Sequence, residues 1–91
     1  MISYLKGIIL AKQDRYLILV VDDATGYRIH VTAQILEQVH FNQEIALYIH
    51  TYVREDALEL YGFPTLEELD FFEKLIGDTF RLPKKSLLKA R

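Results

Sequence analysis

Ninety-one residues fit a single domain with one modest core, because domains commonly run to about 100–150 residues. Hydrophobic residues make up 51% and charged ones 26%, a balance that excludes wholesale disorder, and the absence of cysteine excludes disulfide staples and thiolate metal sites. The formal charge of −2 hides a split: residues 1–78 hold six Lys/Arg against thirteen Asp/Glu, whereas Arg81, Lys84, Lys85, Lys89 and Arg91 follow with no acid. A basic segment after an acidic body either sits in solvent or faces nucleic acid. No apolar run approaches the roughly 20 residues that span a bilayer. The opening MISYLKGIIL lacks the basic, apolar and small-residue succession of a secretory leader. A cytoplasmic protein without membrane contact is expected, and self-association would add stability to so small a core.

In chain order, residues 2–12 are strand-like, with Gly7 marking a bulge or bend of the kind small barrels need. Tyr16 to Val21 is a short apolar run suited to a buried strand. Residues 22–26 form a turn in which Gly26 is free to take positive φ, and Tyr27, Ile29 and Val31 then alternate with polar residues. These two strands make a hairpin. Thr32 to His40 changes to helical spacing, with Thr32 as N-cap and Ile35, Leu36 and Val39 on one side. Ile45, Leu47, Ile49, Thr51 and Val53 share the face of a fourth strand. A charged connection at Arg54, Glu55 and Asp56 leads to a fifth strand, residues 57–63. Three strands, a short helix and two more strands is the order of a five-stranded Greek-key barrel of the OB-fold type.

The rest reads as helical. Thr65 and Glu68 have capping-box spacing; Leu66, Leu69, Phe72, Leu75 and Ile76 recur at helical intervals; Gly77 stands where a left-handed C-cap would. A second short helix begins at Pro83 and runs to about Lys89. The expected organisation is a barrel over residues 1–63 and a helical appendage over residues 64–91.

No residue set calls for catalysis. The four glycines do not cluster into a phosphate loop, and the only serines, Ser3 and Ser86, lie at opposite ends. His30, His40 and His50 have a spacing unlike that of metal ligands, so they are expected at the surface or rim, without metal or cofactor. Adjacent acids such as Asp22–Asp23, Glu55–Asp56 and Glu67–Glu68 are usually solvated turns rather than catalytic pairs. Tyr48 and Tyr52 lie on the face opposite Leu47 and Ile49, where they either stack bases or pack on the appended helix or another subunit. Packing is favoured, because no basic residues interleave with them.

The run from Val53 to Phe63, VREDALELYGF, resembles the signature of the RuvA family, the Holliday-junction-binding subunits of the bacterial branch-migration complex. Met1, Ile2, Leu5, Gly7 and Ile8 resemble that family's first strand, Gly26–Tyr27 its first hairpin, and Phe72 to Ile76 its first appended helix. The resemblance holds register over residues 1–77 and continues at Pro83–Lys84. It implies an OB-fold barrel that assembles as a homotetramer under an open four-way DNA junction, in recombination and repair and the SOS response. It implies that Glu55 and Asp56 form an acidic pin at the junction centre. It also implies DNA-backbone contacts, for which Arg54, Arg81, Lys84 and Lys85 are the candidates here, and a non-catalytic role beside a RuvB-type ATPase motor and a RuvC-type resolvase.

The chain departs from the family pattern where a glycine-rich hairpin would precede the proline, since Phe80, Arg81 and Leu82 stand there. Side chains at those positions obstruct close approach of backbone amides to phosphate. The second hairpin and the motor-engaging C-terminal domain of the family have no counterpart in residues 1–91. The altered hairpin and the overall negative charge motivate the alternative expectation, a RuvA-like oligomerisation or scaffold module with little DNA affinity of its own.

Overall fold

Apolar residues recur along the first two thirds of the chain, and their alternation builds five strands around one core. The computed structural model describes residues 1–78. The order is β1 (Tyr4–Lys12), β2 (Tyr16–Val21), β3 (Thr25–His30), α1 (Ala33–Gln38), β4 (Glu44–Val53), β5 (Leu58–Phe63) and α2 (Leu66–Asp78). The strands close into a barrel in the order β1-β2-β3-β5-β4, the OB-fold arrangement that the sequence predicts. All neighbours are antiparallel except β3 and β5, which close the barrel through the short parallel pairing of Ile29 with Leu60 and His30 with Tyr61. No helix among the described residues is long and apolar enough to cross a membrane.

Period-two alternation aims Leu5 and Ile9 of β1, Leu17 and Leu19 of β2, Ile29, Leu47, Ile49 and Leu60 inward, and all are buried. α1 plugs the barrel with Ile35 and Leu36, its N-cap being the predicted Thr32, whose hydroxyl accepts from Ile35 N at 3.3 Å. The helix has no basic residue in its last turn. Instead Lys12 of β1 reaches over, and its ammonium donates to the carbonyls of Leu36 and Val39 at 2.8 and 2.7 Å. That cation answers both the unpaired carbonyls and the negative end of the helix dipole.

Three glycine expectations need correction. The β1 bulge falls not at Gly7 but between Ile9 and Ala11, where the register against β2 slips by one and leaves Leu10 exposed. Gly7 is instead a close-approach position: a Cβ there would stand 2.3 Å from the Val20 carbonyl oxygen. The β2–β3 turn takes its positive φ from Asp22 and Asp23, both at 57°, while Gly26 is an ordinary strand residue opposite Val20. Primed hairpin turns demand such angles, and aspartate tolerates them because its short side chain bonds locally. Gly77 is no left-handed cap; α2 runs on to Asp78 and no described glycine has positive φ.

α2 starts from the predicted Thr65, whose hydroxyl accepts from Glu68 N at 3.2 Å and whose carbonyl accepts from Leu69 N. The Glu68 carboxylate returns to the Thr65 hydroxyl at 3.4 Å, so the reciprocal half of the box is made to the side chain. Leu69 and Phe72 are buried, whereas Leu66 and Phe71 are exposed. Phe72 seats the helix on the barrel's outer face, its ring 4.9 Å from Phe63, 5.4 Å from His50 and 5.8 Å from Tyr61. His50 adds a contact to Glu73 at 3.0 Å. The predicted second helix from Pro83 to Lys89 lies outside the described residues.

Candidate nucleic-acid interface

The β4–β5 hairpin outruns the barrel. β1 pairs with β4 only from Glu44 to Tyr48, and the N-terminal segment carries the match as far as Thr51. There the buried Thr51 hydroxyl accepts from Ile2 N at 3.1 Å and donates to Ile2 O at 2.7 Å. Beyond that point β4 has only β5 beside it, through the pairs Tyr52 with Glu59 and Val53 with Leu58. The corner closes when Arg54 N donates to Ala57 O at 2.8 Å, leaving Glu55 and Asp56 at the exposed tip.

Alternation along this ribbon has an unusual consequence. Val53 continues the inward face of β4, as its spacing predicts, but the barrel has ended, so Val53 and Leu58 are 66% and 57% exposed. The acidic tip therefore rides on a short apolar base. On the outer face, Arg54 lies diagonally from Glu59, and its guanidinium meets that carboxylate at 3.2 Å. The second Glu59 oxygen accepts from the Tyr61 hydroxyl at 2.8 Å. Burial first, and then the hydrogen bond and charge of Glu59, push the Tyr61 phenol up to about 12. Among the described residues no cation is paired with Glu55 or Asp56.

Of the sequence-predicted site residues, Glu55, Asp56 and Arg54 come together at this corner, Arg54 with its charge engaged by Glu59. Arg81, Lys84 and Lys85, and the Phe80–Leu82 departure, lie outside the described residues. Glu59 and Tyr61 were not singled out from the sequence, although spacing by two puts them on one face. The missing signal was the register, which decides that Glu59 and not Leu60 meets the Arg54 side of the ribbon.

The histidines occupy separate settings. His30 and His50 flank Tyr61 on the two neighbouring strands, whereas His40 is exposed after α1. The His30 ring lies 5.3 Å from Tyr61 and 6.3 Å from Tyr16. The face that holds Tyr48 and Tyr52 is taken at His50, between them, by α2. Tyr48 itself meets Tyr4 edge-on at 5.5 Å. Packing thus accounts for much of the aromatic surface on which base stacking was an alternative.

Comparison with known proteins agrees with this architecture. Residues 1–62 match the family model described as the RuvA N terminal domain. Among curated relatives, the Holliday junction branch migration complex subunit RuvA of Alkaliphilus oremlandii is 45% identical over 81 residues, which cover 85% of this chain and 39% of that protein. Its namesake from Halothermothrix orenii is 43% identical over 78 residues, 85% of this chain and 39% of the relative. The Solidesulfovibrio magneticus protein of the same name is 35% identical over 88 residues, 96% of this chain and 44% of the relative. The chain spans about two fifths of the length of these curated relatives.

Proposed function

Because this chain belongs to the RuvA N-terminal domain family, we propose that it is a non-catalytic DNA-binding module that holds the centre of a four-way junction as a homotetramer. The observation that carries this reading is the exposed acidic corner, Glu55 and Asp56, held out from the barrel on a two-stranded ribbon with no cation paired to either acid among the described residues. Four such corners around an axis would set eight carboxylates where phosphate backbones converge. Two like charges about 4 Å apart repel by roughly 1 kcal/mol in water and by more where water is thinned. Strands would be kept from crowding the centre and turned toward their exit arms, which makes the corner a device for orientation rather than affinity. The exposed Val53 and Leu58 beneath it supply apolar area for neighbouring copies to cover.

In this reading residues 1–63 form the assembly and junction-centre domain and residues 64–91 an appendage. Affinity comes from cations at phosphate, with Arg81, Lys84 and Lys85 supplying the salt-dependent share, while Arg54 at the corner has its guanidinium on Glu59. A RuvB-type motor and a RuvC-type resolvase would act at the same junction. The test is a titration against a labelled four-way junction and a linear duplex of equal length at low salt, alongside mass determination in solution. Junction preference by a tetramer is expected, and Glu55→Gln/Asp56→Asn should tighten duplex binding several-fold and erode that preference. Unchanged preference in the double variant would remove the pin, and a tetramer that binds neither DNA below micromolar concentration would leave a scaffold in its place.

A further inference from the structure

A cation two residues or fewer from both acids of the corner is an odd companion for a repulsive device. Arg54 has an exposed, planar guanidinium of the kind that forks phosphate oxygens. Three partners compete for it: the adjacent carboxylates of Glu55 and Asp56, a DNA phosphate, and Glu59. Only Glu59 is fixed in place beforehand. Its Oε1 is held by the Tyr61 hydroxyl at 2.8 Å, which leaves Oε2 aimed at the Arg54 guanidinium at 3.2 Å. The Glu59 side chain is 25% exposed against 48% for Arg54, so the pair is formed on the drier side of the ribbon, where attraction is stronger than in open water. Tyr61 is in turn held by rings, lying between His30 at 5.3 Å and Phe72 at 5.8 Å. Its phenol keeps its proton throughout the neutral range, so Glu59 always has its donor.

We propose that Glu59 sets the specificity of the corner: it ties Arg54 down the outer face of the ribbon, keeping that cation off DNA phosphate and leaving the charge of Glu55 and Asp56 uncancelled. This rests on the junction reading above. Without the tie, Arg54 would lower the corner's charge from −2 to −1 per copy or clamp a backbone phosphate, and either outcome favours any DNA over a splayed junction. Glu59 touches no DNA in this account. It is a positioning residue.

The test compares the intact protein with three variants: Glu59→Gln, Arg54→Ala/Glu59→Gln, and Glu44→Gln. Glutamine keeps the shape of Glu59 and an acceptor for Tyr61 while losing the charge. Glu44 begins β4, at the end opposite the corner, and its variant carries the same change in net charge. Dissociation constants for a four-way junction and an equal-length duplex are read by fluorescence anisotropy over a salt series. Glu59→Gln should bind duplex about 3- to 10-fold tighter and lose junction preference by the same factor, with its log–log salt slope steeper by about 0.9 for each phosphate that Arg54 takes. The double variant should recover the parent's preference within about twofold, and Glu44→Gln should keep it. Equal loss in Glu44→Gln, no loss in Glu59→Gln, or no recovery in the double variant would each overturn the tie. A readout without DNA separates this from the parent reading: the Arg54 Nε heteronuclear NOE should be high in the parent and fall in Glu59→Gln. A mobile Arg54 in a parent that discriminates junctions overturns the tie alone. A rigid Arg54 in a parent that binds both DNAs alike overturns the junction reading, and the proposal with it.

Discussion

Replacing Gly7 by alanine should be the most damaging single methyl group that can be added to this barrel. The new Cβ would stand 2.3 Å from the Val20 carbonyl oxygen, 2.9 Å from its carbon and 3.2 Å from Leu19 Cγ. Ordinary contact needs roughly 1 Å more, because heavy atoms rest near 3.5–4.0 Å. The obstructing atoms are backbone, so relief requires β1 and β2 to part. A separation of that size breaks hydrogen bonds that work near 2.9 Å. Overpacking costs about 1–3 kcal/mol, and each broken ladder bond about 1 kcal/mol more, giving about 3–5 kcal/mol in total. At about 4–8 °C per kcal/mol for a domain of this size, the melting midpoint should fall by at least about 12 °C. Thermal denaturation followed by far-UV circular dichroism, at one protein concentration, measures it. Gly26→Ala is the control, since its Cβ would meet only Ile18 Cγ2 at an ordinary 3.4 Å and its φ is not positive. That variant should melt at or slightly above the parent. Gly62→Ala should fall between them, because its closest neighbours, Ile29 Cγ2 at 2.7 Å and Leu47 Cδ1 at 3.0 Å, are side-chain rather than backbone atoms and stand farther off than the Val20 oxygen does from Gly7. A Gly7→Ala protein melting within about 4 °C of the parent would refute the close-approach argument.

Lys12→Met keeps the aliphatic stem but strips the ammonium that makes two hydrogen bonds to the end of α1, and should cost about 1–3 kcal/mol in urea unfolding; a loss under about 0.5 kcal/mol would mean that water caps the helix equally well. The Tyr61 phenol has its folded value raised to about 12 from 10.0, so the unfolded chain releases that proton first and stability falls as pH climbs from about 10 toward 12. The parent's stability margin over Tyr61→Phe should therefore shrink across that window, and a constant margin in denaturant midpoints at pH 8, 10 and 11 would contradict it. Replacing Arg81, Lys84 and Lys85 with alanine should flatten the salt slope of DNA binding by about 0.9 for each phosphate that the segment no longer neutralises; a parent whose affinity ignores salt would show that this segment does not touch DNA.

Much of the barrel was legible from residue order because its rules are local. The apolar run of β2, two-residue alternation in β3 and β4, a hydroxyl at Thr32, another at Thr65, and a charged break at 54–56 each act within a few neighbours, and each reappears in place. The VREDALELYGF block likewise pointed to the family that residues 1–62 match. Glycine was less transparent, since the same residue type serves a positive φ, a bulge or a tight crossing. Only the fold shows that Gly7 answers to Val20 and that Asp22 and Asp23 supply the turn.

The chain by itself thus determined the strands, the first helix, the inward-facing apolar set and an acidic pair on a turn, all consequences of patterns a few residues wide. What tertiary structure alone decided is which distant groups share a neighbourhood. Lys12 caps a helix that begins more than twenty residues later, Thr51 binds the Ile2 backbone, and Glu59 pairs with Arg54. The cause is strand register and barrel closure: pairing fixes partners across the sheet by backbone hydrogen bonds that carry no imprint in any single segment, and a slip of one residue would have sent each of these side chains to the other face.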